Sequence, residues 1–107
     1  MIFCEDINEN QNPTGIGSTF YINEYKGGYL YIYVDNKIPF KTEGIIVDFW
    51  KGNDYGEYVD TKNLNIQEQW TATYFRYTFT LEGDYKVMVY RDDQSHIVSG
   101  YVTIKYD

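Results

Sequence analysis

Hydrophobic and polar residues alternate with a period of two along much of the chain, which is the pattern of strands that bury one face. In the segment 29–34, Leu30, Ile32 and Val34 are expected on one side of a strand and three tyrosines on the other. Clusters of Gly, Asp and Asn separate such segments, so the pattern predicts about seven short antiparallel strands. The other alternating segments are 45–50, 74–81, 85–90 and 98–104, with weaker candidates at 18–23 and 57–60.

The composition favours the same fold class. The chain contains 11 Ile, 7 Val and 9 Thr but only three Leu and one Ala, and 20% of its residues are aromatic. β-Branched and aromatic residues fit a pleated sheet, whereas Ala and Leu favour helices. A chain of 107 residues has the size of one domain. We predict an all-β fold with a core formed by Leu30, Ile32, Val34, Val47, Phe49, Phe75, Phe79, Leu81, Tyr85, Val87, Val89, Val102 and Ile104.

The segment Leu81-Glu82-Gly83-Asp84-Tyr85-Lys86-Val87 resembles the corner between strands E and F of immunoglobulin-like domains. In those domains a tyrosine opens strand F after a tight turn, and Tyr85 occupies that position here. Val87 stands where antibody domains have a cysteine. The resemblance covers 18–107 and implies a Greek-key β-sandwich in which the Tyr85 hydroxyl stabilises the corner. Small modules of this kind occur in bacterial cell-envelope and secreted proteins.

The N-terminal segment differs from the rest of the chain. Residues 1–17 are polar and are interpreted as a lead-in to the domain 18–107, with an additional edge strand as an alternative. An apolar signal segment does not form before Glu5 and Asp6. Two alternatives follow: a cytoplasmic protein, or a module of a longer chain. The immunoglobulin-like resemblance favours the second alternative, in a periplasmic, cell-surface or secreted protein.

Charge excludes two classes of partner. Asp and Glu exceed Lys and Arg by 16 to 9, so the formal net charge is −7. Nucleic-acid-binding proteins and polybasic membrane-surface proteins normally carry the opposite charge.

No segment reaches the ~18 consecutive apolar residues of a membrane-spanning helix, so we expect no membrane insertion. The single cysteine, Cys4, excludes an internal disulfide.

The chain offers little for catalysis. His96 is the only histidine and follows Ser95 in a predicted turn, whereas a nucleophile and its base must face each other across a site. We therefore predict that the protein is not an enzyme and has no cofactor. A calcium loop is only weakly indicated, because the spacing after Asp6 departs from the EF-hand pattern. The weak calcium candidates are Asp6, Asn8, Asp92 and Asp93.

The outward aromatic residues are the main functional signal, because they exceed what solubility requires. One sheet is expected to present a stripe of tyrosines, which Tyr21 is a candidate to join, and the opposite sheet a more mixed surface. The candidate binding residues are Tyr29, Tyr31, Tyr33, Tyr74 and Arg76 on the first face and Trp50, Tyr90 and Tyr101 on the second.

Three interpretations of these faces remain open. An outer sheet rich in Tyr, Trp, Met and Arg is typical of a surface that contacts a partner protein or a neighbouring domain. Flat exposed rings are also typical of modules that stack against oligosaccharides. Cross-strand tyrosines can alternatively serve the sheet alone. We predict a non-catalytic interaction or spacer module, with a carbohydrate-binding module as the alternative. Sugar stacking requires coplanar rings around a groove, whereas a protein contact tolerates a flatter, mixed patch.

Overall fold

The computed structural model describes residues 1–107 and confirms the all-β prediction, since it contains strands and no helix. The strands are β1 (Ile2–Ile7), β2 (Pro13–Gly17), β3 (Thr19–Ile22), β4 (Gly28–Asp35), β5 (Gly44–Lys51), β6 (Glu57–Asn65), β7 (Ala72–Phe79), β8 (Gly83–Arg91) and β9 (His96–Tyr106).

The strands form two sheets with a common core, in a β-sandwich-like arrangement. The first sheet has the order β2-β1-β4-β7 and the second the order β3-β9-β8-β5-β6. Neighbouring strands are antiparallel, except that β3 runs parallel to β9. Both sheets contribute side chains to one cluster of 18 buried hydrophobic residues.

The structure has nine strands where the alternation predicts about seven, and the additional two are β1 and β2. Both strands belong to the first sheet, because β1 pairs with β2 and with β4, where Phe3 lies opposite Ile32. Period-two reasoning does not detect β1, since the consecutive residues Phe3 and Cys4 are both buried. β2 lies at the edge of this sheet.

Most of the predicted core residues are buried, with two differences. Phe75 is only partly buried and packs against the cluster. The prediction is wrong for Leu81, whose side chain is 52% exposed. β7 ends at Phe79 and β8 begins at Gly83, so Leu81 lies in the connecting turn, where the alternation of a strand no longer applies. Core residues outside the predicted set are Phe3, Phe20, Ile22, Phe40, Ile45, Ile66 and Tyr77.

The turn before β8 has the hydrogen bond predicted for it. The hydroxyl of Tyr85 donates to the carbonyl oxygen of Leu81 at 2.6 Å, and the ring of Tyr85 is buried in the core. Gly83 adopts a φ of 153°, which residues with a side chain rarely adopt. The aromatic ring therefore anchors the turn to the core while its hydroxyl satisfies a turn carbonyl.

A second tyrosine links the two sheets at the side where both have an edge strand. Tyr77 on β7 stacks on Phe49 of β5, with ring centroids 3.8 Å apart. Its hydroxyl donates to Oδ2 of Asp60 on β6 at 3.1 Å. Burial, followed by the nearby Asp60 carboxylate, raises the pKa of Tyr77 well above its usual value. Tyr77 thus connects β7, at the edge of the first sheet, to β6, at the edge of the second sheet.

Candidate functional site

The outer face of the first sheet brings together the first group of candidate residues. β4 and β7 pair along their whole length, which places Tyr33 opposite Tyr74 and Tyr31 opposite Arg76. Tyr29 is 53% exposed and Tyr74 is 38% exposed. We call this surface, formed by Tyr29, Tyr31, Tyr33, Tyr74 and Arg76, the tyrosine face.

The rings of the tyrosine face support one another. The planes of Tyr33 and Tyr74 differ by only 10°, with centroids 6.4 Å apart, and Tyr31 meets Tyr74 at 6.3 Å and a steep angle. The guanidinium carbon of Arg76 lies 4.8 Å from the centroid of Tyr29, within cation–π distance. Because each ring has a neighbour, these side chains stabilise one another's positions.

A groove begins where the tyrosine face ends. It has a volume of about 760 Å³, and Tyr33 and Tyr74 form part of its wall together with Trp70 and Gln11. The hydroxyl of Tyr74 donates to Oε1 of Gln11 at 2.7 Å, which ties the β1–β2 loop to β7. That loop is ordered by Asn8, whose Oδ1 accepts hydrogen bonds from the backbone N–H groups of residues 10 and 12.

Gln11 and Trp70 are groove residues that the sequence does not indicate. Gln11 lies in a polar loop, and Trp70, which is 39% exposed, lies in the segment between β6 and β7. Neither belongs to an alternating segment. The only available signal is the isolated tryptophan within the polar run Gln67–Thr71.

The outer face of the second sheet holds the second group of candidate residues. Trp50 on β5 lies opposite Lys86 on β8, and Lys86 lies opposite Tyr101 on β9. Tyr90 lies further along β8, opposite Ile46. We call this surface the mixed face; its outward residues include Ile46, Asp48, Trp50, Tyr58, Lys86, Met88, Tyr90 and Tyr101.

Aromatic contacts also organise the mixed face. Trp50 and Tyr58 meet edge to face with centroids 5.4 Å apart. Tyr55, in the turn before β6, packs against Tyr101 at 5.3 Å, and the ammonium group of Lys86 lies 5.8 Å from the Tyr101 centroid. The two groups of candidate residues therefore occupy opposite outer faces of the molecule.

Tyr21 requires a correction. The sequence offers it as a candidate for the tyrosine face, but it lies on β3, opposite Lys105 of β9 in the second sheet. The parallel pairing of β3 with β9 moves this segment away from β4, because the chain crosses from one sheet to the other after β2.

His96 has a hydroxyl partner that is not its sequence neighbour Ser95. Its Nε2 lies 2.8 Å from Oγ of Ser99, and its ring packs edge to face against Tyr90. No carboxylate hydrogen-bonds to the imidazole, so the group that orients the base in a catalytic triad has no counterpart here. His96 is also exposed, in a position where water competes for every hydrogen bond.

Three of the four weak calcium candidates accept hydrogen bonds from nearby backbone N–H groups. Oδ1 of Asp6 accepts the N–H of Ile7, and Oδ1 of Asp93 accepts the N–H of Ser95. The hydrogen bonds from Ser95 lower the pKa of Asp93. Asp92 is exposed in the same turn, and Asn8 serves the loop described above. No group of three or more His, Cys, Asp or Glu residues has a geometry suited to a metal ion.

Cys4 is fully buried between β2 and β4, and its Sγ lies 3.6 Å from the carbonyl oxygen of Tyr31. Burial raises the pKa of the Cys4 thiol. The thiol form is therefore favoured over the nucleophilic thiolate.

Comparison of the chain with protein-family models, with curated proteins and with solved structures gives no significant match. The structure contains no helix that is long and apolar enough to cross a membrane.

Proposed function

We propose that this chain is a non-catalytic immunoglobulin-like module that contacts a partner protein, or a neighbouring domain of a longer chain, through its mixed face. The observation that carries the proposal is the continuous row of Trp50, Lys86 and Tyr101 across three strands of one sheet. Trp, Tyr and Met are enriched where proteins meet.

The strand order supports the immunoglobulin-like part of the proposal. β4 and β7 are neighbours in one sheet, while β5, β8 and β9 are adjacent in the other. This is the distribution of strands B and E against strands C, F and G in immunoglobulin-like sandwiches. The hydrogen bond from Tyr85 to Leu81 adds the corner typical of that family. By the same resemblance, we propose that the module belongs to a bacterial surface, periplasmic or secreted protein.

Charge argues for a basic partner surface. The net charge of −7 attracts a positively charged protein and repels a second copy of the same chain. On the mixed face, Lys86 sits between two aromatic rings, and Asp48 lies on the same face opposite Met88. We therefore expect a different protein as the partner, with an association rate that decreases as salt increases.

The test begins with photo-crosslinking in the cells that produce the protein. A photoreactive phenylalanine analogue replaces Tyr101 in one variant and Tyr29 in the other. The two positions are matched, since Tyr101 is 54% exposed and Tyr29 is 53% exposed, but they lie on opposite faces. The proposal expects one dominant cross-linked protein at position 101 and none at 29. A dominant product only at position 29 contradicts it.

The cross-linked partner is then purified and titrated against the variants. Trp50→Ala and Tyr101→Ala should each weaken binding by about tenfold or more, as expected for interface hot spots. Tyr29→Ala is the control and should bind like the original chain. Equal affinity for all three variants would show that the mixed face is not the contact surface.

A further inference from the structure

We infer that the groove beside the tyrosine face is a binding site for a neutral oligosaccharide. The groove lies on the first sheet, away from the mixed face, so this inference is independent of the proposed protein contact. Three features of the groove carry it: the geometry of its aromatic rings, the chemistry of its polar groups and its lack of charge.

The aromatic rings provide a surface that fits a sugar ring. Tyr33 and Tyr74 lie directly opposite each other on β4 and β7, with planes only 10° apart. The C–H groups on one face of a pyranose ring pack against such rings, which bury apolar area without requiring a hydrogen bond. Trp70 adds a third ring to the groove wall. Nearly parallel tyrosine rings beside a groove favour sugar stacking over a flat protein contact.

The backbone that carries the third ring is held in position. The backbone N–H of Trp70 donates to the carbonyl oxygen of Gln67 at 3.1 Å, and its carbonyl accepts from Phe40 at 2.8 Å. Phe40 is fully buried in the core, so this segment is anchored to the interior of the domain. A fixed wall lowers the entropy lost when a ligand binds.

The polar groups of the groove suit hydroxyl groups. The hydroxyl of Tyr74 occupies Oε1 of Gln11, which leaves the Nε2 donors of that amide for a ligand. Gln69 and the hydroxyl-bearing residues Thr71 and Thr73 line the same groove. Amides and hydroxyls both donate and accept, as each sugar hydroxyl does. The volume of about 760 Å³ lies within the range of about 300–1,000 Å³ that is usual for small-molecule sites.

The groove is lined by uncharged residues alone. In a chain with a net charge of −7, an anionic ligand would be repelled without any local cation to compensate. A cationic ligand would find no carboxylate in the groove. The chemistry therefore selects an uncharged polyhydroxylated chain.

The first experiment is an amide NMR titration with four neutral oligosaccharides at millimolar concentration: cellotetraose, xylotetraose, maltotetraose and chitotetraose. Polygalacturonate fragments and a proline-rich peptide serve as comparison probes. We expect at least one neutral oligosaccharide to shift the resonances of Tyr33, Trp70 and Tyr74. The inference is overturned if none of the four does so, or if the acidic fragments or the peptide alone shift these resonances.

Variants then test the assignment of the site. Tyr74→Ala removes one ring and the partner of Gln11, and should weaken binding by about tenfold or more. Tyr74→Phe keeps the ring and should retain more affinity than Tyr74→Ala. Tyr101→Ala, on the mixed face, should leave the affinity unchanged. Thermal unfolding verifies that each variant is folded, and unchanged affinity in folded Tyr74→Ala would contradict the inference.

Fluorescence supplies a second readout. The chain has two tryptophans, Trp50 on the mixed face and Trp70 in the groove. In the variant Trp50→Phe, all tryptophan emission comes from Trp70. The oligosaccharide that shifts the NMR resonances should change this emission with the same dissociation constant. If the emission of Trp70 does not change, the oligosaccharide binds elsewhere and the inference is contradicted.

Discussion

The bond between Tyr77 and Asp60 allows a quantitative test of how the two sheets are held together. It connects β7 at the edge of one sheet to β6 at the edge of the other. In Tyr77→Phe, the ring can keep its stacking on Phe49, whose centroid lies 3.8 Å away, and only the hydroxyl is lost. The variant therefore isolates the hydrogen bond from the packing of the ring.

The expected loss follows from the environment of the acceptor. A hydrogen bond to a charged group contributes about 1.5–3 kcal/mol. The Asp60 side chain is 41% exposed, so solvent reduces this contribution, and we expect a loss of about 1 kcal/mol. With an unfolding entropy of about 2.1 cal/mol/K per residue, 1 kcal/mol lowers the melting temperature of a chain of 107 residues by about 4–5 °C.

The assay is chemical unfolding of a double-mutant cycle made of Tyr77→Phe, Asp60→Ala and the combined variant. The cycle cancels the other contacts of Asp60, which include the N–H of Thr61 and the ammonium group of Lys62. We expect a coupling energy of about 1 kcal/mol. Tyr29→Phe, at an exposed position, is the control and should change stability by less than about 0.5 kcal/mol. A coupling energy near zero would refute the reasoning.

Further predictions concern the hydroxyls of Tyr85 and Tyr77 and the turn residue Leu81. Tyr85→Phe should cost about 1 kcal/mol, the usual net value of a hydrogen bond, and unchanged thermal unfolding would count against the corner bond. The pKa of Tyr85 is raised to about 12 and that of Tyr77 is raised further above 10. Above pH 10 the unfolded chain therefore loses protons that the folded chain retains. Stability should be independent of these two groups below pH 10 and fall above it, by up to about 1.4 kcal/mol per pH unit for each group. The double variant Tyr77→Phe/Tyr85→Phe should fall less steeply in denaturant midpoints measured at several pH values, and an equally steep fall would contradict the assignment. Leu81→Thr should change stability by less than about 0.5 kcal/mol, whereas a loss of 2 kcal/mol or more would indicate a buried Leu81.

The parts of the fold that follow from the sequence are those in which one strand face is buried and the other is not. Leu30, Ile32 and Val34 alternate with tyrosines, and the structure buries all three. β1 is not detected by this reasoning because Phe3 and Cys4, which point to opposite faces of the strand, are both buried. The alternation also does not predict the burial of Phe40 and Ile66, because both lie in connections between strands. Backbone hydrogen bonds to Trp70 and Glu43, respectively, hold them against the core.

The same distinction applies to the candidate sites. Alternation alone puts Tyr29, Tyr31 and Tyr33 on one face, but the position of Tyr74 beside them depends on the pairing of β4 with β7. The groove depends on still longer-range contacts, since Gln11 and Tyr74 are 63 positions apart. No local pattern specifies such a contact; it results from the order β2-β1-β4-β7 of the first sheet, which brings the β1–β2 loop close to β7.

The edge strand β6 shows how a stabilising contact and protection against association can share the same residues. Unpaired edges invite pairing with other chains, and charges that point inward or an irregular register prevent it. β6 has both features: Asp60 and Lys62 lie opposite the core residues Phe49 and Val47, and the register shifts between Phe49 and Trp50. An inward carboxylate is costly unless it is partnered, and Tyr77 supplies the partner from the other sheet. The hydrogen bond from Tyr77 thus stabilises the charged Asp60 on the edge strand β6. An apolar residue at this position would leave the edge open to pairing with another chain.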